Sequence, residues 1–195
     1  MRKRNIVLVV LLVLLVLSAV SSALTFRTRT GQVKNRISYG NVELTLIENT
    51  LENGVEIPFT QNTPVKVSGG EYSRIVRVKN TGEHPIYVRV ALRLTAVDGN
   101  GQETTLPTDF YSYDINNSDW TESDGWYYYN HAALTANEET NTLMTKIMFD
   151  HTKLNDVAGY ELTLHIQAEA VQSENNGDTV WQAVGWPDIA GGDTP

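Results

Sequence analysis

The sequence predicts an all-β fold, an antiparallel β-sandwich, from three observations. Ile86, Val88, Val90, Leu92 and Leu94 alternate with Tyr87, Arg89, Ala91 and Arg93, and Leu162, Leu164, Ile166, Ala168 and Ala170 alternate with Thr163, His165, Gln167 and Glu169. Period-two alternation of this length is the pattern of a strand, since a helical stripe needs three- and four-residue spacings. Turn residues recur at near-regular spacing, and no segment has the period of a long helix, which leaves room for one or two short helices at most.

The amino terminus is read first as a targeting segment. Arg2, Lys3 and Arg4 precede an apolar run from Ile6 to Leu17, and Ser21-Ser22-Ala23 follows. A basic region, a short apolar region and small residues are the parts of a secretory signal peptide, here residues 1–23, cut between Ala23 and Leu24. The run from Ile6 to Leu17 reaches roughly 18 Å as a helix, short of the roughly 30 Å hydrocarbon core. A retained anchor is the alternative if the run is counted on to Leu24. Cleavage leaves no stable membrane span and 195 − 23 = 172 residues, enough for one domain with a sizeable core.

Composition narrows the chemistry. Cysteine is absent, so there is no disulfide framework, thiol nucleophile or thiolate metal site. The chain carries net charge −8, and −11 without Arg2, Lys3 and Arg4. Residues 24–97 hold ten basic and six acidic side chains, whereas residues 98–195 hold two and seventeen. Held apart in space, those halves would favour head-to-tail association; interleaved, they make an acidic solvated surface.

Along the exported chain, residues 24–39 read as an extended basic arm. Val42, Leu44 and Leu46 mark a strand, residues 49–54 a turn, and residues 55–59 and 65–67 short extended pieces. Val76 and Val78 alternate with Arg77 and Lys79 in the next strand. Asn80 to Pro85 is a turn, residues 86–95 a strand, and Asp98-Gly99-Asn100-Gly101 a tight reversal. Residues 106–124 read as a long decorated connection, residues 125–130 as extended, and residues 142–149 and 160–170 as strands. Residues 178–184 suit a short helix packing Trp181, and residues 188–195 a flexible tail, which leaves the sandwich domain at 40–187.

Several segments then stand together: "GNVELTLIE" from Gly40, "VKNTGEHPIYVRV" from Val78, "DGWYYYN" from Asp124 with its trailing Asn137-Glu138-Glu139-Thr140, and "AEAVQ" from Ala168. In this order after a signal peptide, the set resembles the TasA/camelysin family of exported proteins from Gram-positive bacteria. The resemblance implies a jelly-roll-like β-sandwich and a secreted, cell-surface or biofilm-matrix role. It also implies processing by a dedicated signal peptidase. The best-known members form extracellular fibres in which an amino-terminal strand of one subunit completes the sheet of the next. Here the arm occupies that place, and Phe26, Val33 and Ile37 are its insertable apolar residues. The partner is then the chain itself or a related fibre subunit. The family's "AYFTD" after cleavage is "LTFRTRT" here.

Chemistry-bearing motifs are few, and the expectation is a non-catalytic protein without metal or cofactor. Some members of the family are described as metalloproteases, but His84, His131, His151 and His165 lack the spacing of a zinc-binding helix. Gly-x-Ser-x-Gly and a phosphate loop are absent. Residues 114–125 begin like a calcium loop but carry Asp119 and Gly125 where glycine and glutamate are needed. Asp114, Asp119, Glu122 and Asp124 remain for a looser site, against a solvated acidic loop. Arg77, Lys79, Arg89 and Arg93 read as a solvated sheet face, with nucleic acid disfavoured by the negative chain. Trp126, Tyr127, Tyr128 and Tyr129 are the candidate surface aromatic site for polysaccharide. In an extended chain, Trp126 and Tyr128 share one face and Tyr127 and Tyr129 the other, so at most two rings serve one surface.

Overall fold

In the computed structural model, residues 42–60, 70–97, 100–150, 152–153 and 161–186 are described below. The expected signal peptide and cleavage bond, the arm with Phe26, Val33 and Ile37, the piece at 65–67, His151 and the tail lie outside them. The described residues are all-β. They contain ten strands: β1 Leu44–Glu52, β2 Val55–Pro58, β3 Glu71–Asn80, β4 Ile86–Val97, β5 Glu103–Thr105, β6 Tyr111–Tyr113, β7 Trp120–Ser123, β8 Trp126–Tyr129, β9 Met144–Phe149 and β10 Glu161–Gln172.

One sheet has the order β2-β1-β3-β9-β6; the other runs β10-β4-β8-β7, with β5 also paired to β4. Every pairing is antiparallel. The chain passes between the sheets at β3–β4, β5–β6, β6–β7, β8–β9 and β9–β10, so neither sheet is a simple meander. Alternation explains the layering. Val76 and Val78 of β3, Val88, Val90 and Leu94 of β4, Met144 and Ile147 of β9, and Leu162 and Leu164 of β10 meet in one buried cluster between the sheets.

The turns are set by residues that accept positive φ. Asn53 and Gly54 (φ 51° and 80°) join β1 to β2, and Asp124 and Gly125 (φ 52° and 78°) join β7 to β8. Two consecutive left-handed residues suit the strand twist of a two-residue hairpin. Asn80, fully buried, holds the β3–β4 turn. Its side chain donates to the His84 and Leu134 carbonyls at 2.8 and 2.9 Å and accepts from Gly82 N–H at 2.9 Å.

Three expectations are corrected. Residues 49–52 are strand, because β1 pairs with β2 up to Glu52↔Val55; only Asn53 and Gly54 turn. The connection at 106–124 contains β6 and β7, strands of three and four residues too short to show alternation. Residues 178–184 form turns rather than a helix. Gly177 and Gly185 bracket them at positive φ, and Asn176 ties the loop shut through both the N–H and carbonyl of Val184. So short a segment does not repay helix nucleation once a side chain satisfies its ends. Val180 and Ala183 are the residues it buries, and Trp181 stays exposed.

Candidate functional site

The aromatic row lies on the β7–β8 hairpin, and the Asp-Gly that precedes it is the hairpin turn. Register fixes the rings: Trp120↔Tyr129, Glu122↔Tyr127 and Ser123↔Trp126 across the hairpin, and Arg89↔Tyr128 toward β4. Tyr127 and Tyr129 pack against the core between the sheets. Burial pushes the Tyr127 phenol above its usual pKa. Trp126 and Tyr128 take the opposite, outer face with Arg89. Of the four, Trp126 is buried and the three tyrosines half-buried, so the row offers no four-ring surface.

The outer face of this sheet is covered where the sequence suggested solvent. Residues 173–186 fold over it, and Tyr87, Val171, Val180 and Ala183 form a second apolar cluster against Tyr128, Ala133 and Trp186. Ser173 N–H and the Tyr87 hydroxyl anchor the cap, donating to the Pro85 and Gly177 carbonyls at 3.0 Å each. Arg89 is therefore buried, which corrects its placement on a solvated face. Its Nη2 and Nε lie 2.7 and 2.8 Å from Glu169 Oε2, and its guanidinium carbon lies 4.1 Å from the Trp126 ring centroid and 4.7 Å from that of Trp186. A buried cation between rings and a carboxylate has its desolvation offset on three sides.

Arg93 shares β4 and its face with Arg89, but Arg77 and Lys79 lie on β3 of the other sheet, so the four do not form one stripe. Arg77 pairs with Glu56 and Lys79 with Glu139 on the other sheet. Lys146 pairs with Glu71, which holds its pKa above the usual lysine value. Several of these pairs join a residue before 98 to one after it, so the basic and acidic halves interleave among the described residues.

A polar hub braces the hairpin. Asp119 accepts from His131 Nε2 at 2.6 Å, Asn116 Nδ2 at 2.7 Å and Asn141 Nδ2 at 3.0 Å. The His131 bond above all holds the Asp119 carboxyl below its ordinary pKa. Trp120 Nε1 donates to the Asn141 carbonyl at 3.2 Å, locking the same loop from the core side. Asp114 accepts from the Thr145 and Lys146 N–H groups at 2.8 Å each, and Glu122 from Gly125 N–H at 2.9 Å. These acids face different backbone segments, and no group of three or more His, Asp or Glu side chains able to hold a metal occurs among the described residues.

The histidines are likewise dispersed. His84 lies 3.6 Å from Glu174 and His131 against Asp119, while His165 lies 2.9 Å from the Thr95 hydroxyl and 3.4 Å from Glu103. Burial, helped by Arg93, lowers the His165 pKa.

Two features were invisible in the sequence. Arg74 is fully buried on β3, ion-paired to Glu48 with the Phe59 ring 3.4 Å from its guanidinium carbon, and its Nε and Nη1 have no hydrogen-bond partner. Burial, partly opposed by Arg74, raises the Glu48 pKa. The second feature is the set of sheet edges. β2 has four residues and ends in Pro58, while β6 has three and β7 four. By contrast β10 has twelve, pairs with β4 in unbroken register from Glu161↔Val97 to Gln172↔Ile86, and has no strand on its other side among the described residues.

No protein-family model, curated protein or solved structure matches the chain. Among the described residues no helix is long and apolar enough to cross a membrane.

Proposed function

We propose that the chain is a non-catalytic, exported structural protein of the cell surface or biofilm matrix, a fibre or accessory subunit of jelly-roll-like build that assembles by strand exchange. The observation that carries this reading is the edge of β10. Proteins blunt exposed edges with short strands, prolines or bulges, because a row of unpaired N–H and C=O groups templates another strand. The edges at β2, β6 and β7 are short, and β2 ends in proline; β10 is long and regular. Val42 just before β1, Leu44 and Leu46 on β1, and Leu92 and Ile166 on the other sheet pack on the core while only half-buried. They supply apolar contacts for alternate side chains of an added strand, the part expected of Phe26, Val33 and Ile37. The signal-peptide pattern and the family resemblance supply the exported setting.

The test compares residues 24–195 with residues 40–195 by electron microscopy and size-exclusion chromatography. The reading expects filaments or large assemblies from the longer chain and monomers from the shorter. Monomers from both at high concentration, with no assembly on adding a fibre-forming relative, would overturn it.

A further inference from the structure

The cap over the outer face leaves one large aromatic residue in solvent. Trp181 is 47% exposed, while Trp120 and Trp126 are buried and Trp186 half-buried. Its ring centroid lies 4.9 Å from that of Tyr128 with the planes 39° apart, and Trp186 meets Tyr128 edge-on at 5.8 Å. The two nearer rings are held from below and beside. Arg89 Nη1 donates to the Tyr128 hydroxyl at 3.2 Å, and Trp181 Nε1 donates to Asn130 Oδ1 at 3.2 Å. Asn130 is exposed, and the bond that orients the indole uses only its Oδ1.

We propose that Trp181, Tyr128 and Asn130 form a binding site for a neutral polysaccharide. The C–H face of a pyranose stacks on the exposed indole, Tyr128 extends the surface, and the Asn130 amide donates to a ring hydroxyl. Such a site is apolar and aromatic with few placed polar groups, as ligand sites usually are. Charge selects the ligand class. Arg89, the cation beneath the rings, is spent on Glu169, and the two lysines after residue 98 are paired with Glu71 and Asp109. An anionic polymer gains little from Arg89, the cation that lies against the Tyr128 and Trp186 rings, because its charge is already matched by Glu169. The site replaces the row at 126–129: only Tyr128 of that row takes part. It lies on the sheet face rather than the β10 edge and does not depend on assembly.

The experiment titrates residues 24–195 with laminarin and dextran as neutral glucans and alginate as the anionic control, by calorimetry and by tryptophan emission. A neutral glucan binds; Trp181→Ala weakens binding about tenfold, the equivalent of one lost aromatic contact, with the β-sheet circular dichroism spectrum retained. Asn130→Ala weakens it by a smaller factor, and alginate does not bind. Absence of binding by both glucans, equal binding by Trp181→Ala, or binding of alginate alone overturns the proposal. Should Trp181→Ala misfold, iodide quenching of the unsubstituted chain decides. Saturating glucan that fails to protect the emission of this most exposed of the indoles counts against the site.

Discussion

Arg89 and Glu169 face each other across β4 and β10 as directly opposed residues, yet both are buried on what alternation makes the outer face. An ion pair in that position is sheltered by residues 173–186 and by the Trp126 and Trp186 rings. Removing one partner strands the other's charge, whereas replacing both removes the desolvation penalty. Glu169→Ala is expected to destabilise the domain by about 3–5 kcal/mol. The double change Arg89→Met with Glu169→Leu is expected to do so far less, as read by urea denaturation at neutral pH.

The tryptophans separate into load and display. Trp120 is fully buried, tilted against Tyr129 with centroids 5.0 Å apart, and its indole N–H is bonded. Trp120→Ala opens a cavity in the shared core and is expected to lower stability by about 3–5 kcal/mol. Trp181→Ala removes one exposed ring contact and is expected to lower it by less than about 1.5 kcal/mol. Parallel denaturation curves check the contrast, and equal losses would mean that the cap is as integral as the core.

Much of the fold was legible because the long strands are amphipathic. β4 and β10 show alternation over their whole length, and the Asp124-Gly125 turn announces the β7–β8 hairpin. Even the division of the four rings between two faces follows from period two. What could not be read is what covers a face. Nothing local to Arg89 or Glu169 says that a segment some ninety residues after Arg89 in sequence, anchored by Ser173 on Pro85 and Tyr87 on Gly177, lies over them. Strands β5, β6 and β7 are defined by their partners rather than their own pattern. Arg74 was indistinguishable from its outward neighbour Arg77, because β3 carries an irregular register between Ser73 and Val76 that alternation does not reveal.

Asp119 gives the site an acid limit. Its carboxyl is held below the ordinary value of 3.8, chiefly by the His131 hydrogen bond. The unfolded chain therefore takes up a proton before the folded one does. This contribution to stability is complete above the ordinary value and is lost as pH falls through the depressed folded value. Asp119→Asn is expected to lower stability near neutral pH, with the gap to the unsubstituted protein closing in strong acid. Urea midpoints measured near neutrality and again below 3.8 test this; a gap that stays constant would assign the loss to geometry rather than charge.

The edge of β10 gives the assembly reading a residue-level signature. In an antiparallel strand successive amides point to opposite sides, so alternate N–H groups of Glu161–Gln172 bond to β4 and the others point to the side on which no strand lies among the described residues. A bonded amide exchanges its hydrogen only when the sheet opens, whereas an edge amide exchanges almost freely. In the monomeric chain of residues 40–195, protection along β10 is expected to alternate residue by residue, against near-uniform protection in β4 from 89 to 90, where β10 lies on one side and β8 on the other. In assemblies of residues 24–195 the exposed set should slow to match the bonded set, while the amides of β2 and β7 stay as they were. Uniform protection of β10 already in the short monomer would show that the edge is covered from within one chain, and strand exchange would then have to use another edge.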